Sequence, residues 1–379
     1  MKVLHTISSM GVQSGGTTSC TYYLLQGLVR QGVDVNVLSY ALREGDKYPG
    51  EADFYRTVPR TGNKLLYSKS FYEYMQSHPV YDIYHSNGLW QYPSHATAVY
   101  AHKMHKPYIM TPHGMLYPEA LSRSKWIKKA YTCLWQHADL HRASCIQATC
   151  MKELEVIREY GLKNPVAIIP NSVNVGNSNV SIKENNSAVF RIGYVGRLHP
   201  YKQVERIIIA ISLLPQEQRE RIELCIVGGG DVEYENYLKS LTIQYNLTEI
   251  VRFCGFVTGI EKEKLIDTFS VVCIVSKSEN FGMVIAEALV RGIPVIASKG
   301  TPWEDLNTHR CGWWVDNDVD TIASTMRAAI ELSEAERCAM GERGRQLIIN
   351  HYSVDVVAAQ MKSVYEWLMG GVKPDCVYE

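Results

Sequence analysis

The 379-residue chain carries no excess of either charge: Lys+Arg and Asp+Glu both number 39, and the formal net charge is zero. A general nucleic-acid binder is basic, so any positive surface here must be local. No stretch approaches the roughly 18–20 consecutive apolar residues of a membrane span. The start, MKVLHTISSMGVQSGG, has one lysine and a short, interrupted apolar run, which is not a signal-peptide pattern. The ten cysteines include no C-x-x-C pair. Several lie in apolar runs, such as Cys225 in ELCIVG and Cys273 in VVCIVS, and read as buried free thiols of a reducing cytosol. The twelve histidines are scattered, with no H-E-x-x-H and no Cys/His cluster, so no metal is expected. His85 and His95, in HSNGLWQYPSH, have a spacing with no standard metal meaning. G-x-G-x-x-G, the P-loop lysine pattern and the G-x-S-x-G nucleophile elbow are also missing.

What is present is a near-continuous alternation of strand and helix patterns. The length exceeds one ordinary core and predicts two domains. At 46% hydrophobic and 21% charged, the composition is that of a globular protein. KVLHTIS reads as a strand, GVQSGGTTS as a Gly-rich turn, TYYLLQGLVRQG as a helix and VDVNVLSY as the next strand, which makes a βαβ unit. DIYHSNG, PYIMTPHG and CIQATC repeat the strand-then-loop form within a first domain, residues 1–173. Residues 174–189 are rich in Asn and Ser and read as a linker. A second alternating set, 190–352, contains FRIGYVG, IELCIVGG, IVRFCG, VVCIVS, PVIAS and GWWV as strands. A last helix, about 353–370, has Ser353 as its candidate N-cap. Two such halves predict an α/β protein with two doubly wound parallel sheets. Ligands bind beyond the carboxyl ends of such strands, so sheets that face each other would enclose a cleft.

The loops after the strands hold the candidate chemistry. In GYVGRLHPYKQVERII, Arg197 follows a strand at once and Lys202 lies where a helix is expected to begin. Two cations beside a helix N-terminus suit a diphosphate, although a solvated basic loop has the same composition. In VSKSENFGMVIAEALVRG, Gly282 allows close approach to the backbone, and N–H groups around Phe281–Met283 suit an oxygen ligand. Glu279 precedes the helix and Glu287 lies about one turn inside it. One carboxylate could hold a sugar and the other a ribose; equally, both could be favourable charges at a helix N-terminus. His113 and Gly114 follow a strand in TPHGML, where the histidine could donate to a substrate oxygen, shuttle a proton or be structural. Gly15 and Gly16 form a turn that could approach a phosphate. LSRSKWIKKAYTCLWQ, residues 121–136, mixes cations with aromatics. As a helix it fits an anionic membrane surface, or an ordinary helix with its aromatic side buried.

Taken in order, SGG at 14–16, HG at 113–114, IPNSVN at 169–174, GRLHPYK at 196–202, VGGG at 227–230 and the spaced glutamates flanking NFG resemble glycosyltransferase family 4. The resemblance covers nearly the whole chain. It implies the GT-B fold: two Rossmann-like domains facing a central cleft, with the last helix packed back on the first domain. It implies a retaining, metal-independent hexosyltransferase that uses a UDP- or GDP-sugar as substrate, with no cofactor. The implied acceptor is a saccharide hydroxyl, lipid-linked, in bacterial surface polysaccharide biosynthesis at the inner face of the cytoplasmic membrane. Arg197 and Lys202 would then neutralise the diphosphate, and Glu279 would contact the sugar. The backbone of Asn280, Phe281 and Gly282, with Met283, would line the donor pocket, and Glu287 would hold the ribose. Gly15 and Gly16 would lie near the phosphates, and His113 would face the transferred sugar. Gln203, where the family often has glycine, and PNSVN in place of PNGVD are departures. A nucleotide-sugar epimerase or hydrolase on the same fold, or an inactive binding protein, are the alternatives.

Overall fold

The computed structural model describes residues 1–61, 67–176 and 189–379. Most of the linker segment, 177–188, lies outside them. The chain divides into two units, Met1–Asn174 with Ser353–Glu379, and Val175–Tyr352.

The first unit is built on strands β1 (Lys2–Thr6), β2 (Asp34–Tyr40), β3 (Tyr55–Val58), β4 (Ile83–Asn87), β5 (Tyr108–Thr111), β6 (Cys145–Ala148) and β7 (Val166–Ile168). In the sheet, β3-β2-β1-β4-β5-β6-β7 run parallel. The second unit has β8 (Phe190–Val195), β9 (Ile222–Val227), β10 (Val251–Gly255), β11 (Val271–Ile274), β12 (Val295–Ser298) and β13 (Gly312–Val315), in the order β10-β9-β8-β11-β12-β13. A short β14 (Val377–Tyr378) returns antiparallel to β7 and completes the first sheet.

Both sheets therefore have the doubly wound order in which the chain starts at the centre, runs to one edge and returns to fill the other. The order reverses between β1 and β4 in one unit and between β8 and β11 in the other. Loops leaving the carboxyl ends at a reversal point diverge to opposite faces and leave a crevice for ligands. Strict alternation along the strands builds the core of the first unit. Leu4, Tyr84, Met110 and Ile146 pack on one face. Val3, Ile83, Ile109 and Cys145 pack on the other, under Leu25 and Leu28 of the first helix (Gly16–Arg30) and Met361 and Tyr365 of the last (Val354–Leu368). The first and last helices cross closely because Gly27 has no side chain: a Cβ there would lie 2.6 Å from the Ala358 Cβ.

One local expectation is refined and two are corrected. Ser353 does occupy the N-cap position, but its hydroxyl makes no capping bond. Instead its backbone bridges to Val173 and accepts from the Val357 N–H. Residues 121–136 are not one helix. Ser124 turns left-handed (φ 52°) between Pro118–Ser122 and Lys125–Tyr131, and Thr132–Gln136 widens to a π turn. The helix after β8 starts at Val204, not at Lys202. Pro200–Lys202 form a 3-10 turn, and Gln203 is left-handed at φ 54°. A glycine would fit that conformation without strain.

Candidate active site

In the second unit the predicted residues gather on the two loops that flank the reversal point. The loop after β8 carries Arg197 and Lys202; the loop after β11 carries Glu279 to Gly282. The loops are tied backbone to backbone: Lys277 N–H donates to the Tyr201 carbonyl at 2.8 Å. Glu279 is held from behind by its N–H on Gly300 O at 3.0 Å and by the Ser276 hydroxyl, which donates to Oε1 at 2.8 Å. Across the gap Lys202 Nζ forms an ion pair with the same Oε1, and both side chains are only 15% exposed. Thus the cation assigned to the phosphates and the carboxylate assigned to the sugar neutralise one another directly. Charges this far removed from water need a partner of opposite sign. Arg197 is exposed, and its carbonyl receives the Tyr194 hydroxyl at 3.0 Å, which holds the loop while leaving the guanidinium outside.

VGGG acquires a steric meaning. A Cβ on Gly228 (φ 137°) would fall 1.8 Å from the Gly196 carbonyl oxygen, and one on Gly230 would fall 2.2 Å from Leu198 O. Only glycine lets the loop after β9 run against the loop that presents Arg197.

Gly282 is left-handed (φ 82°) and caps the helix Met283–Val290. Its N–H and that of Met283 have no intrahelical acceptor, as at any helix start. The Phe281 side chain turns into the core, which leaves the expected backbone role untouched. It is 4% exposed, with its ring centroid 5.2 Å from that of Trp303, and its carbonyl accepts from the Trp303 indole. Glu287 does not join Glu279. Its Oε2 pairs at 2.6 Å with Lys262, from the helix Gly259–Ile266, and it stays about one-third exposed. Lys262 was not singled out in the sequence because nothing local links it to a residue 25 positions away.

In the first unit, Gly15 (φ 87°) is the N-cap of the helix that begins at Gly16. The turn before it is braced by Asp46, whose Oδ1 accepts from the N–H of Gln13 and of Lys47 at 3.1 and 2.9 Å. His113 is left-handed (φ 53°) and half-buried beyond β5, and its Nε2 meets Asn87 Oδ1 at 3.1 Å. Burial lowers its pKa to about 4, so the imidazole is neutral near pH 7. The next residue is fixed by a carboxylate with no solvent exposure: Glu153 takes the Gly114 N–H at 2.6 Å and the Thr149 N–H and hydroxyl at 2.8 and 2.9 Å. Sequence reasoning missed Glu153 and Asn87. Glu153 sits in an ordinary amphipathic pattern, and Asn87 ends a strand whose polar residues give no motif.

Residues 14–177 match the family described as "Glycosyltransferase Family 4", and 179–347 match "Glycosyl transferases group 1". Only residue 178 separates the two matches. The chain belongs to glycosyltransferase family 4. It is an enzyme of the glycosyltransferase class. It is similar to an uncharacterized glycosyltransferase of Methanocaldococcus jannaschii, 27% identical over 371 residues, 91% of this chain and 93% of that protein. The alpha-1,3/1,6-mannosyltransferase alg2 of Schizosaccharomyces pombe is 26% identical over 205 residues, which are 47% of this chain and only 40% of that one. Among solved structures, Anabaena HepE in complex with UDP and glucose aligns with a TM-score of 0.74 over 97% of this chain and all of that one, at 19% identity. That likeness establishes the GT-B fold, two parallel-sheet α/β domains.

Proposed function

We propose that this family 4 enzyme moves a hexose-type sugar, with retention, from a UDP- or GDP-sugar to a hydroxyl of a saccharide acceptor. The observation that carries the reading is the Lys202–Glu279 pair beside Arg197 at the reversal point of the second sheet. Breaking a glycosidic bond to a nucleotide builds oxocarbenium character on the sugar and negative charge on the diphosphate. The cations Arg197 and Lys202 and the N–H groups at Gly282 and Met283 stabilise that leaving group without a metal. When phosphate takes over Lys202, Glu279 is released to accept hydrogen bonds from sugar hydroxyls. Glu287, tethered by Lys262, is the ribose ligand of this reading, and His113 with the Gly15–Gly16 turn serves the transferred sugar and the phosphates. HepE, as solved with UDP and glucose, and alg2, a mannosyltransferase, agree with a nucleotide-hexose donor.

The acceptor is lipid-linked in this reading, at the inner face of a cytoplasmic membrane, in bacterial surface polysaccharide assembly. Among the described residues no helix is long and apolar enough to cross a membrane. The segment 121–136 exposes Trp126 (78%) and Leu134 (69%) beside exposed Lys125 and Lys129, a composition suited to anionic lipid headgroups. Lys128 is not part of that surface, since its Nζ donates to the Ala120 carbonyl and lies over the Trp90 ring.

A panel of nucleotide-sugars is first screened for thermal stabilisation, because a bound donor raises stability by mass action. Products with the best donor are then analysed with and without a lipid-linked acceptor. A new glycosidic product only with acceptor is expected; free sugar or an epimer under both conditions refutes the transferase reading.

A further inference from the structure

On the face of the first sheet that meets the first and last helices, the inward residues change character along each strand. At the amino ends they are apolar: Val3, Ile83, Ile109 and Cys145. At the carboxyl ends they are His5, His85, Asn87, Thr111 and Gln147, all buried. Parallel register sets His5 beside His85 and Asn87 beside Thr111. Tyr365 of the last helix, fully buried, brings its hydroxyl to both histidines. Polar groups sealed in this way must each find a partner, and their donors and acceptors can be accounted for one by one.

The account closes in one direction. Two backbone carbonyls, which can only accept, set its ends: Thr6 O receives Asn87 Nδ2 at 3.4 Å, and Ile169 O receives Gln147 Nε2 at 3.1 Å. With its nitrogen so placed, the Asn87 amide turns Oδ1 to His113 Nε2, 3.1 Å away, and that nitrogen must carry the proton. The other Asn87 N–H points to His5 Nδ1 at 3.4 Å, which is therefore bare. His5 Nε2–H then donates to the Tyr365 hydroxyl at 2.8 Å, and Tyr365 donates to His85 Nδ1 at 2.8 Å. His85 Nε2–H donates to the Thr111 hydroxyl at 2.6 Å, and Thr111 donates to Gln147 Oε1 at 2.8 Å. Reversing the chain would set an amide oxygen against a carbonyl oxygen at both ends. The partners that face the histidines, Tyr365, Asn87, Thr111 and Gln147, are all uncharged.

We propose that Asn87 is a positioning residue that holds His113 as the neutral Nε2–H tautomer, leaving Nδ1 able only to accept a hydrogen bond. Among the described residues Nδ1 has no protein partner, and the residue is only partly buried. The ligand group that fits a bare nitrogen is a hydroxyl, not a phosphate oxygen, which has no proton to give. The tautomer follows from the network alone. The hydroxyl assignment rests on the proposed reading of the site, in which His113 meets the transferred sugar.

The test is long-range 1H–15N correlation NMR on the full chain labelled with 15N-histidine, with His113→Gln to assign the ring. Wild type is expected to show one neutral Nε2–H species for His113 near pH 7. Asn87→Asp, which keeps the acceptor and adds a negative charge, is expected to raise the His113 pKa by more than one unit. Asn87→Leu is expected to mix the tautomers. An Nδ1–H ring or an imidazolium in wild type overturns the positioning role and needs no variant. An unchanged His113 pKa in folded Asn87→Asp overturns it as well. UDP-glucose and GDP-mannose serve as sugar probes, with UDP and GDP as controls. A shift of the His113 Nδ1 resonance with a sugar-bearing probe but not with the nucleotide alone supports the hydroxyl assignment, and an equal shift with both refutes it. If no probe perturbs any residue, the donor reading fails while the tautomer result stands.

Discussion

Acidification tests the buried histidine network most directly. His5 has no solvent exposure, and burial lowers its pKa from 6.5 to about 3. A lowered histidine pKa means that the unfolded chain binds the proton first. Stability is therefore complete above pH 6.5 and is lost as pH falls from there towards 3. At pH 5 the unfolded histidine is almost wholly protonated and the folded one almost wholly neutral. Linkage then gives a loss of about 2 kcal/mol from His5 alone. His85 shifts in the same direction, through burial and the nearby His5 and His113, and adds to the loss. His113, lowered by burial to about 4, shifts in the same direction and adds to the loss. Against the ~5–15 kcal/mol of a typical domain this is a large fraction. Urea titrations at pH 7 and pH 5, followed by amide exchange of β1 and β4, report on the unit that carries the histidines. His5→Gln is expected to be less stable at pH 7 but to lose about 2 kcal/mol less on acidification. A wild type that loses under about 1 kcal/mol, or a His5→Gln with the same pH slope, refutes the burial argument.

Lys202→Met leaves Glu279 without its cation and removes a phosphate contact. Nucleotide-sugar affinity should fall about ten- to a hundredfold, the ~1.5–3 kcal/mol of one charged hydrogen bond, as read by calorimetry. Gly27→Ala drives a methyl into Ala358 and the Val354 carbonyl. It should cost about 1–3 kcal/mol in urea unfolding, with the change concentrated in the first unit. Gly228→Ala has no room against the Gly196 carbonyl. It should lower the melting temperature by several degrees and abolish any stabilisation by nucleotide-sugar. Reversing Lys125 and Lys129 to Glu should end flotation with anionic liposomes while the melting temperature is unchanged; equal flotation of wild type and variant removes the membrane surface from the account.

Much of this protein is local in origin and could be read from the chain. Short apolar runs ending in glycine or polar loops marked the strands of both sheets, because a strand buried on two faces reads as a near-continuous apolar segment. β3 and β14 escaped notice: YRTV and VY are too short and too mixed to stand out from loops. Arg197, Lys202, Glu279, Gly282 and His113 were legible as site candidates since each lies on a loop that leaves the end of a strand. The partners were not. Lys202 with Glu279, Lys262 with Glu287, and Glu153 with Gly114 are joined only by the fold. The same holds for the conformation of Gln203 and the break at Ser124, which depend on where neighbouring elements dock. The sequence by itself determined the two alternating halves and the residues offered at their strand ends. Tertiary structure alone decided which charges neutralise each other and which nitrogen of His113 is bare, because Tyr365 is 360 residues from His5 and only sheet register and helix packing bring them within a hydrogen bond.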